Sequence, residues 1–150
     1  NKEKGSQLIK EGWIKAKLSK NDLKYVESSE QYFKFFGIDF EVHILSAHRT
    51  PGKVAEFATN ARENNYSILI GSAGMAAHLP GVIAAMTPIP VIGVPMKSDL
   101  MGIDSLLSIV QMPKGVPVAC MSVGKHGAIN AALYAKRILD IINFEQPYGA

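Results

Sequence analysis

Residues 67–86 read SILIGSAGMAAHLPGVIAAM, and this stretch decides the fold. Ser67–Gly71 is a short apolar run, the pattern of a strand covered on both faces. Gly71–Gly81 follows as a loop of small residues. Pro80–Met86 then reads as a helix with proline in its first turn. A buried strand, a small-residue loop and a helix in succession form the unit from which parallel α/β sheets are built.

The unit recurs on either side. Phe40–Leu45, Val91–Val94 and Val116–Met121 are further strand candidates, and Trp13–Lys17 is a weaker one. Val54, Phe57, Ala58 and Ala61 share one helical face, with Thr50 as N-cap and Pro51 at the first helical position. Leu23–Phe36 reads as a helix with Asp22 as N-cap and Gly37 as its stop. Ile103–Val110 is another. Ala128, Ala131, Ala132, Ala135, Ile138, Leu139 and Ile142 carry a last helical period, whose alanines allow close packing on the sheet or on another subunit. The alternation predicts an α/β three-layer sandwich with a central parallel sheet, because right-handed crossovers make the strands parallel. A flavodoxin-like strand order is favoured over a full dinucleotide fold. A single domain is expected over 13–143, with tails at 1–12 and 144–150.

The 150 residues suffice for one core. A content of 47% hydrophobic and 19% charged residues is that of a globular chain, not a disordered one. The net charge of +3 comes largely from Lys2, Lys4, Lys10, Lys15 and Lys17, with no aromatic-interleaved basic stripe, so no nucleic-acid partner is expected. Cys120 stands alone, which excludes an intrachain disulfide and fits a reducing compartment; it reads as a small buried residue. His43, His48, His78 and His126 lie at no metal-ligand spacing, so no metal is expected. No N-terminal apolar segment reads as a signal peptide and no apolar run reaches membrane-spanning length. A cytoplasmic protein without a membrane partner is the expectation.

In open α/β sheets, ligands bind beyond the carboxyl ends of the strands. Those ends lead into Leu18–Asp22, Ser46–Pro51, Ser72–Gly81, Met96–Gly102 and Ser122–Gly127, which hold three of the four histidines. In Ser46–Pro51, the His48 imidazole can take and return a proton within one cycle. Arg49 can grip a phosphate or carboxylate with two parallel donors, beside a helix N-terminus. A helix-capping histidine and a surface ion pair explain the same residues, and the sequence alone does not choose. Gly71–Gly81 can present backbone N–H groups to a ligand, although tight strand–helix packing also demands small residues. His78 reads as catalyst or as structural hydrogen-bonder. Ser19 and Asp22 offer a hydroxyl and a carboxylate for a ribose phosphate, or a plain helix cap. Asp104-Ser105 and Gly124–Gly127 are equally open. There is no nucleophile elbow, and no loop carries two acids at a shared site.

Together, SAHRTP (46–51), AAHLPG (76–81), DSLLSIVQMP (104–113) and GAINAA (127–132) resemble the class I 5-(carboxyamino)imidazole ribonucleotide mutases, and the resemblance runs from about Trp13 to Ile142. It implies a purine-biosynthesis isomerase that turns 5-(carboxyamino)imidazole ribonucleotide into 5-amino-1-(5-phosphoribosyl)imidazole-4-carboxylate. The route is decarboxylation and recarboxylation through trapped carbon dioxide, without cofactor or metal. It implies His48 as general acid/base, and Ser19, Asp22, Ser46 and Arg49 as ribose-phosphate and positioning groups. It further implies backbone donors at Ala73, Gly74 and Leu79, His78 as second loop histidine, and a homo-octamer. Two alternatives remain: a carboxylase acting on aminoimidazole ribonucleotide with free carbon dioxide, and a nucleotide-binding subunit impaired in catalysis. The chain departs from the family pattern at Leu18, Ser72 and Met75, where glycine is expected, at Asn21, where serine is, and at His126, where a small residue is. Leu18 and Met75 put a Cβ where the backbone approaches the ligand, at about 1 kcal/mol each if φ is positive.

Overall fold

A computed structural model describes residues 10–15 and 20–144, with side chains from 24 to 141. The elements alternate as β1 (Lys10–Lys15), α1 (Lys20–Phe36), β2 (Asp39–Ile44), α2 (Pro51–Asn60), β3 (Tyr66–Gly74), α3 (Leu79–Met86), β4 (Val91–Met96), α4 (Ile103–Val110), β5 (Ala119–Cys120) and α5 (Lys125–Phe144). All strand pairs are parallel, in the order β2-β1-β3-β4-β5. This is the flavodoxin-like order that the alternation predicts. The chain steps outward from β1 to β2, then crosses back over β1 to β3. The reversal leaves a crevice at the carboxyl ends of these strands.

Each face of the sheet carries its own core. Ile68, Ile70, Ile92, Val94 and Met96 pack against Val26 and Phe33 of α1 and against Ala128, Ala131, Ala132 and Ala135 of α5. Leu69, Ala73 and Val91 pack on the other side against α2, α3 and α4, through Val54, Ala58, Leu79, Ile83 and Ile109. Alternate residues of β3 serve opposite cores, which is why it reads as one continuous apolar run. The alanines of α5 are used within the subunit, on the sheet and α1, rather than on a neighbour.

Several boundaries differ from the sequence expectation, each for a physical reason. β1 begins at Lys10, not Trp13, because Lys10, Glu11 and Gly12 pair with both β2 and β3. Pairing on both sides makes a strand of residues with little strand preference of their own. Three residues of the expected 1–12 tail therefore belong to the sheet. Ala16 and Lys17 lie outside the described residues. β5 shrinks to Ala119–Cys120: it pairs only with β4, and Pro117 has no N–H to extend the ladder. α1 starts at Lys20, so Asp22 is inside its first turn and is not its N-cap. An acidic residue is favourable at both places, so the signal does not fix the boundary. Gly37 ends α1 as expected. Its φ is +68°, its N–H reaches the Lys34 carbonyl at 3.2 Å, and the Ile38 N–H reaches that of Phe33 at 2.9 Å.

The start of α5 is tied to the sheet. The Gly124 N–H donates to the Pro95 carbonyl and the Met121 N–H to that of Gly93, both at 2.9 Å. A Cβ on Gly127 would run into the Ser122 carbonyl, which is backbone and cannot swing away. Gly127→Ala is expected to destabilise the protein by about 3 kcal/mol in urea unfolding. Gly52→Ala, on an open face of α2 with nothing within 4 Å, serves as the control and should match or exceed the wild type.

Candidate active site

The turn after β2 is closed on itself. The Ser46 N–H donates to Thr50 Oγ1 at 3.0 Å, and Thr50 Oγ1 donates to the Ser46 carbonyl at 3.2 Å. The Thr50 N–H reaches the same carbonyl at 2.9 Å, and the Arg49 N–H reaches Ser46 Oγ at 3.1 Å. Thr50 stands at the N-cap position of α2 but makes no side-chain cap bond; its hydroxyl turns back to staple the loop. His48 and Arg49 are thus carried, exposed, on a braced turn. Ser46 Oγ accepts here, so its own hydrogen stays able to donate.

The connection after β3 is shaped by its backbone. Met75 adopts φ +58°, a left-handed conformation that glycine would take without strain. The chain then turns into α3, with the His78 N–H on the Ala76 carbonyl at 2.9 Å and the Val82 N–H on the His78 carbonyl at 3.0 Å. His78 occupies the N-cap position, and the Leu79 side chain is buried beneath it. The first-turn N–H groups of α3 have no helical partners by geometry, which leaves Leu79 able to donate.

The two loops meet. His48 Nε2 and His78 Nδ1 lie 2.8 Å apart, with ring planes at 79°. One nitrogen must donate and the other accept, so one proton sits between the rings. A cleft of about 250 Å³ opens there. Ser46, Ala47, His48 and Arg49 line it from one loop, and Ala73–Ala76, His78 and Leu79 from the other. Small-molecule pockets usually measure roughly 300–1,000 Å³, so this space suits part of a ligand, with the remainder extending elsewhere. β1 lies between β2 and β3, so its carboxyl end at Lys15 is at the same end of the sheet.

Seven of the expected site residues therefore gather in one cleft: Ser46, His48, Arg49, Ala73, Gly74, His78 and Leu79. Ser19 and Leu18 lie outside the described residues. Asp22 and Asn21 are in the first turn of α1, where the side chains are not described. The contact between His48 and His78 is not visible in the sequence, because it spans thirty positions and needs the strand order. Ser72 was visible only as a departure. It is fully buried beside these loops, and its Oγ has no hydrogen-bond partner among the described residues.

Other polar groups hold the frame. Ser98 Oγ donates to Asp104 Oδ2 at 3.2 Å, and Ser105 Oγ to the Met96 carbonyl at 2.6 Å, so Asp104-Ser105 fastens α4 to the end of β4. His43 lies on β2 away from the cleft, 3.2 Å from Glu41 and 3.3 Å from the Tyr66 hydroxyl. Tyr66 donates to Glu41, and its pKa is raised, first by burial and then by that bond and charge. Cys120 is partly buried rather than buried, and burial pushes its thiol pKa up. His126 and Lys125 are exposed on the first turn of α5. A larger cavity of about 490 Å³ lies at the opposite end of β4, between Thr87–Ile92 and Tyr134. It has no acid, base or cation besides a phenol, so it does not rival the histidine cleft.

Comparison with known proteins gives the family and the fold. Residues 17–146 match the family described as AIR carboxylase. The N5-carboxyaminoimidazole ribonucleotide mutase of Saccharolobus solfataricus is 53% identical over 82% of this chain and 77% of its own. That of Haemophilus influenzae is 51% identical over 81% of this chain and 74% of its own. The crystal structure of Treponema denticola PurE superposes with a TM-score of 0.75, at 27% identity, over 91% of this chain and 84% of that one. By sequence over most of its length, the chain belongs to the AIR carboxylase family.

Proposed function

We propose that this chain is a mutase that moves the carboxyl group of 5-(carboxyamino)imidazole ribonucleotide from the exocyclic nitrogen to the adjacent ring carbon. The observation that carries the reading is the imidazole pair His48–His78 in a cleft beside Arg49. The isomerisation needs one proton delivered and one removed, and nothing else. His48 gives its proton to the exocyclic nitrogen as the carbamate C–N bond breaks, and carbon dioxide is freed. The ring carbon then attacks the carbon dioxide, and His48 takes the proton that this carbon loses. Protons and electrons balance over the cycle, so the base is regenerated without metal or cofactor.

The surrounding groups suit that sequence. His78 fixes the ring orientation and tautomer of His48 through their shared proton. Arg49, exposed and without an ion pair among the described residues, is suited to an anionic oxygen of the substrate. Ser46 donates beside it. Ser19 and Asp22, carried by the segment that leaves the end of β1, take the ribose phosphate that the cleft is too small to hold. Backbone N–H groups of Ala73, Gly74 and Leu79 orient the carboxylate. Confining two reacting fragments in one pocket converts an encounter into an intramolecular step.

We assign the assembly to the apolar face of α4. Ile103, Leu107 and Val110 fall at i, i+4 and i+7, and each is more than half exposed. Leu100 and Met101 extend the patch. A second copy of the chain covers this face, consistent with the octamer that the family resemblance implies. Among the described residues no helix is long and apolar enough to cross a membrane; we place the enzyme in the cytoplasm.

Ultraviolet assay of ring-carboxylate formation tests the reading. Turnover of the carbamate is expected. Turnover only of the bare ribonucleotide with carbon dioxide would make the chain a carboxylase, and nucleotide binding without either would make it a non-catalytic subunit. His48→Asn should lower kcat by about 10²–10⁴-fold while leaving the nucleotide dissociation constant near wild type. Arg49→Ala should weaken nucleotide binding by roughly 10–100-fold, read by calorimetry. Leu107→Glu should split the assembly in sedimentation velocity, and an unchanged profile would remove α4 from the interface.

A further inference from the structure

We infer that Met75 is the lid over the gaseous intermediate, a retention residue that keeps carbon dioxide beside the ring carbon. The inference rests on the mutase reading and concerns the same cleft. Its starting point is a conflict in the loop after β3. Ala73 and Ala77 are both buried, so the backbone between them is pinned at each end. At the apex of that pinned span stands a residue with a left-handed φ of +58° and a full-length side chain, where glycine would sit without strain. Strain that the surrounding structure over-determines at a site points to a use for the residue that bears it.

The chemistry of the lining supplies the use. Ala47, Ala73, Gly74 and Ala76 are too short to cover anything, and Leu79 is committed to the core. Among the described lining residues, Met75 is the large apolar side chain left at the rim, 64% exposed. Its thioether arm has three rotatable bonds and adapts to irregular space. Carbon dioxide is linear and has no net dipole, so an apolar cover suits it better than water does. Between C–N cleavage and C–C formation the gas is either captured by the ring carbon or escapes. Escape leaves the bare aminoimidazole ribonucleotide, with its exocyclic nitrogen protonated, and no ring carboxylate. A side chain that closes the rim at that moment shifts the partition toward product.

The test uses the full-length chain and substrate labelled with carbon-13 in the carbamate, in buffer holding a large pool of unlabelled bicarbonate and carbon dioxide. The fraction of label retained in the ring carboxylate is read by mass spectrometry, with loss in the His48→Asn variant subtracted as background. Wild type should retain most of its label. Met75→Gly should lose label several-fold more, with more bare ribonucleotide per product, and Met75→Leu should restore retention. Folding is not at risk, because glycine fits the left-handed turn. Equal retention in wild type and Met75→Gly overturns this inference alone, as does a wild type that exchanges its label freely. A wild type that forms no ring carboxylate from the carbamate overturns the mutase reading, and the inference with it.

Discussion

The hydrogen bond between His48 and His78 depends on a topological constraint: β1 must lie between β2 and β3. Only then do the loops after β2 and β3 reach toward each other over the end of a strand that belongs to neither. The 2.8 Å contact is therefore a product of the whole sheet. The staple between Ser46 and Thr50 fixes one imidazole, and the pinned turn into α3 fixes the other. Loss of either brace leaves two exposed histidines that meet only by chance.

Local rules are broken at this end of the molecule. Met75 holds a left-handed turn, at about 1 kcal/mol relative to glycine. Ser72 buries a hydroxyl with no partner among the described residues, at about 1–3 kcal/mol. Domains of this size are stable by only about 5–15 kcal/mol, so these are sizeable local penalties. Met101, in the loop after β4, is left-handed as well, and so is Asn65 before β3, where asparagine tolerates the turn; the glycine stop of α1 and the paired cores of β3 follow ordinary preference. Concentration of misfit at the carboxyl ends of the strands is what a working site on this fold leads one to expect.

Much of this was legible in the residues. Buried strands such as the one read at Val91–Val94, which extends to Met96, announce themselves because parallel sheets hide both faces. The loops at strand ends point to the cleft before any family resemblance is invoked. Other features were not legible, for reasons of physics. The start of β1 is set by partners on either side, not by its own lysines and glycine. The shortness of β5 follows from its place at the edge. Asp22 serves equally as cap or first-turn acid, so it cannot mark where α1 begins. His43 reads like any other histidine, yet its partners Glu41 and Tyr66 come from strand neighbours and from a distant strand. The meeting of His48 and His78 needs all of the topology at once.

The orientation of His48 rests on the proton that its ring shares with His78. Nitrogen-15 NMR of histidine-labelled protein observes that proton directly. A scalar coupling across the hydrogen bond, joining His48 Nε2 to His78 Nδ1 and abolished by His78→Ala, is the predicted result. Two imidazole signals that titrate independently, with no coupling between them, would contradict it.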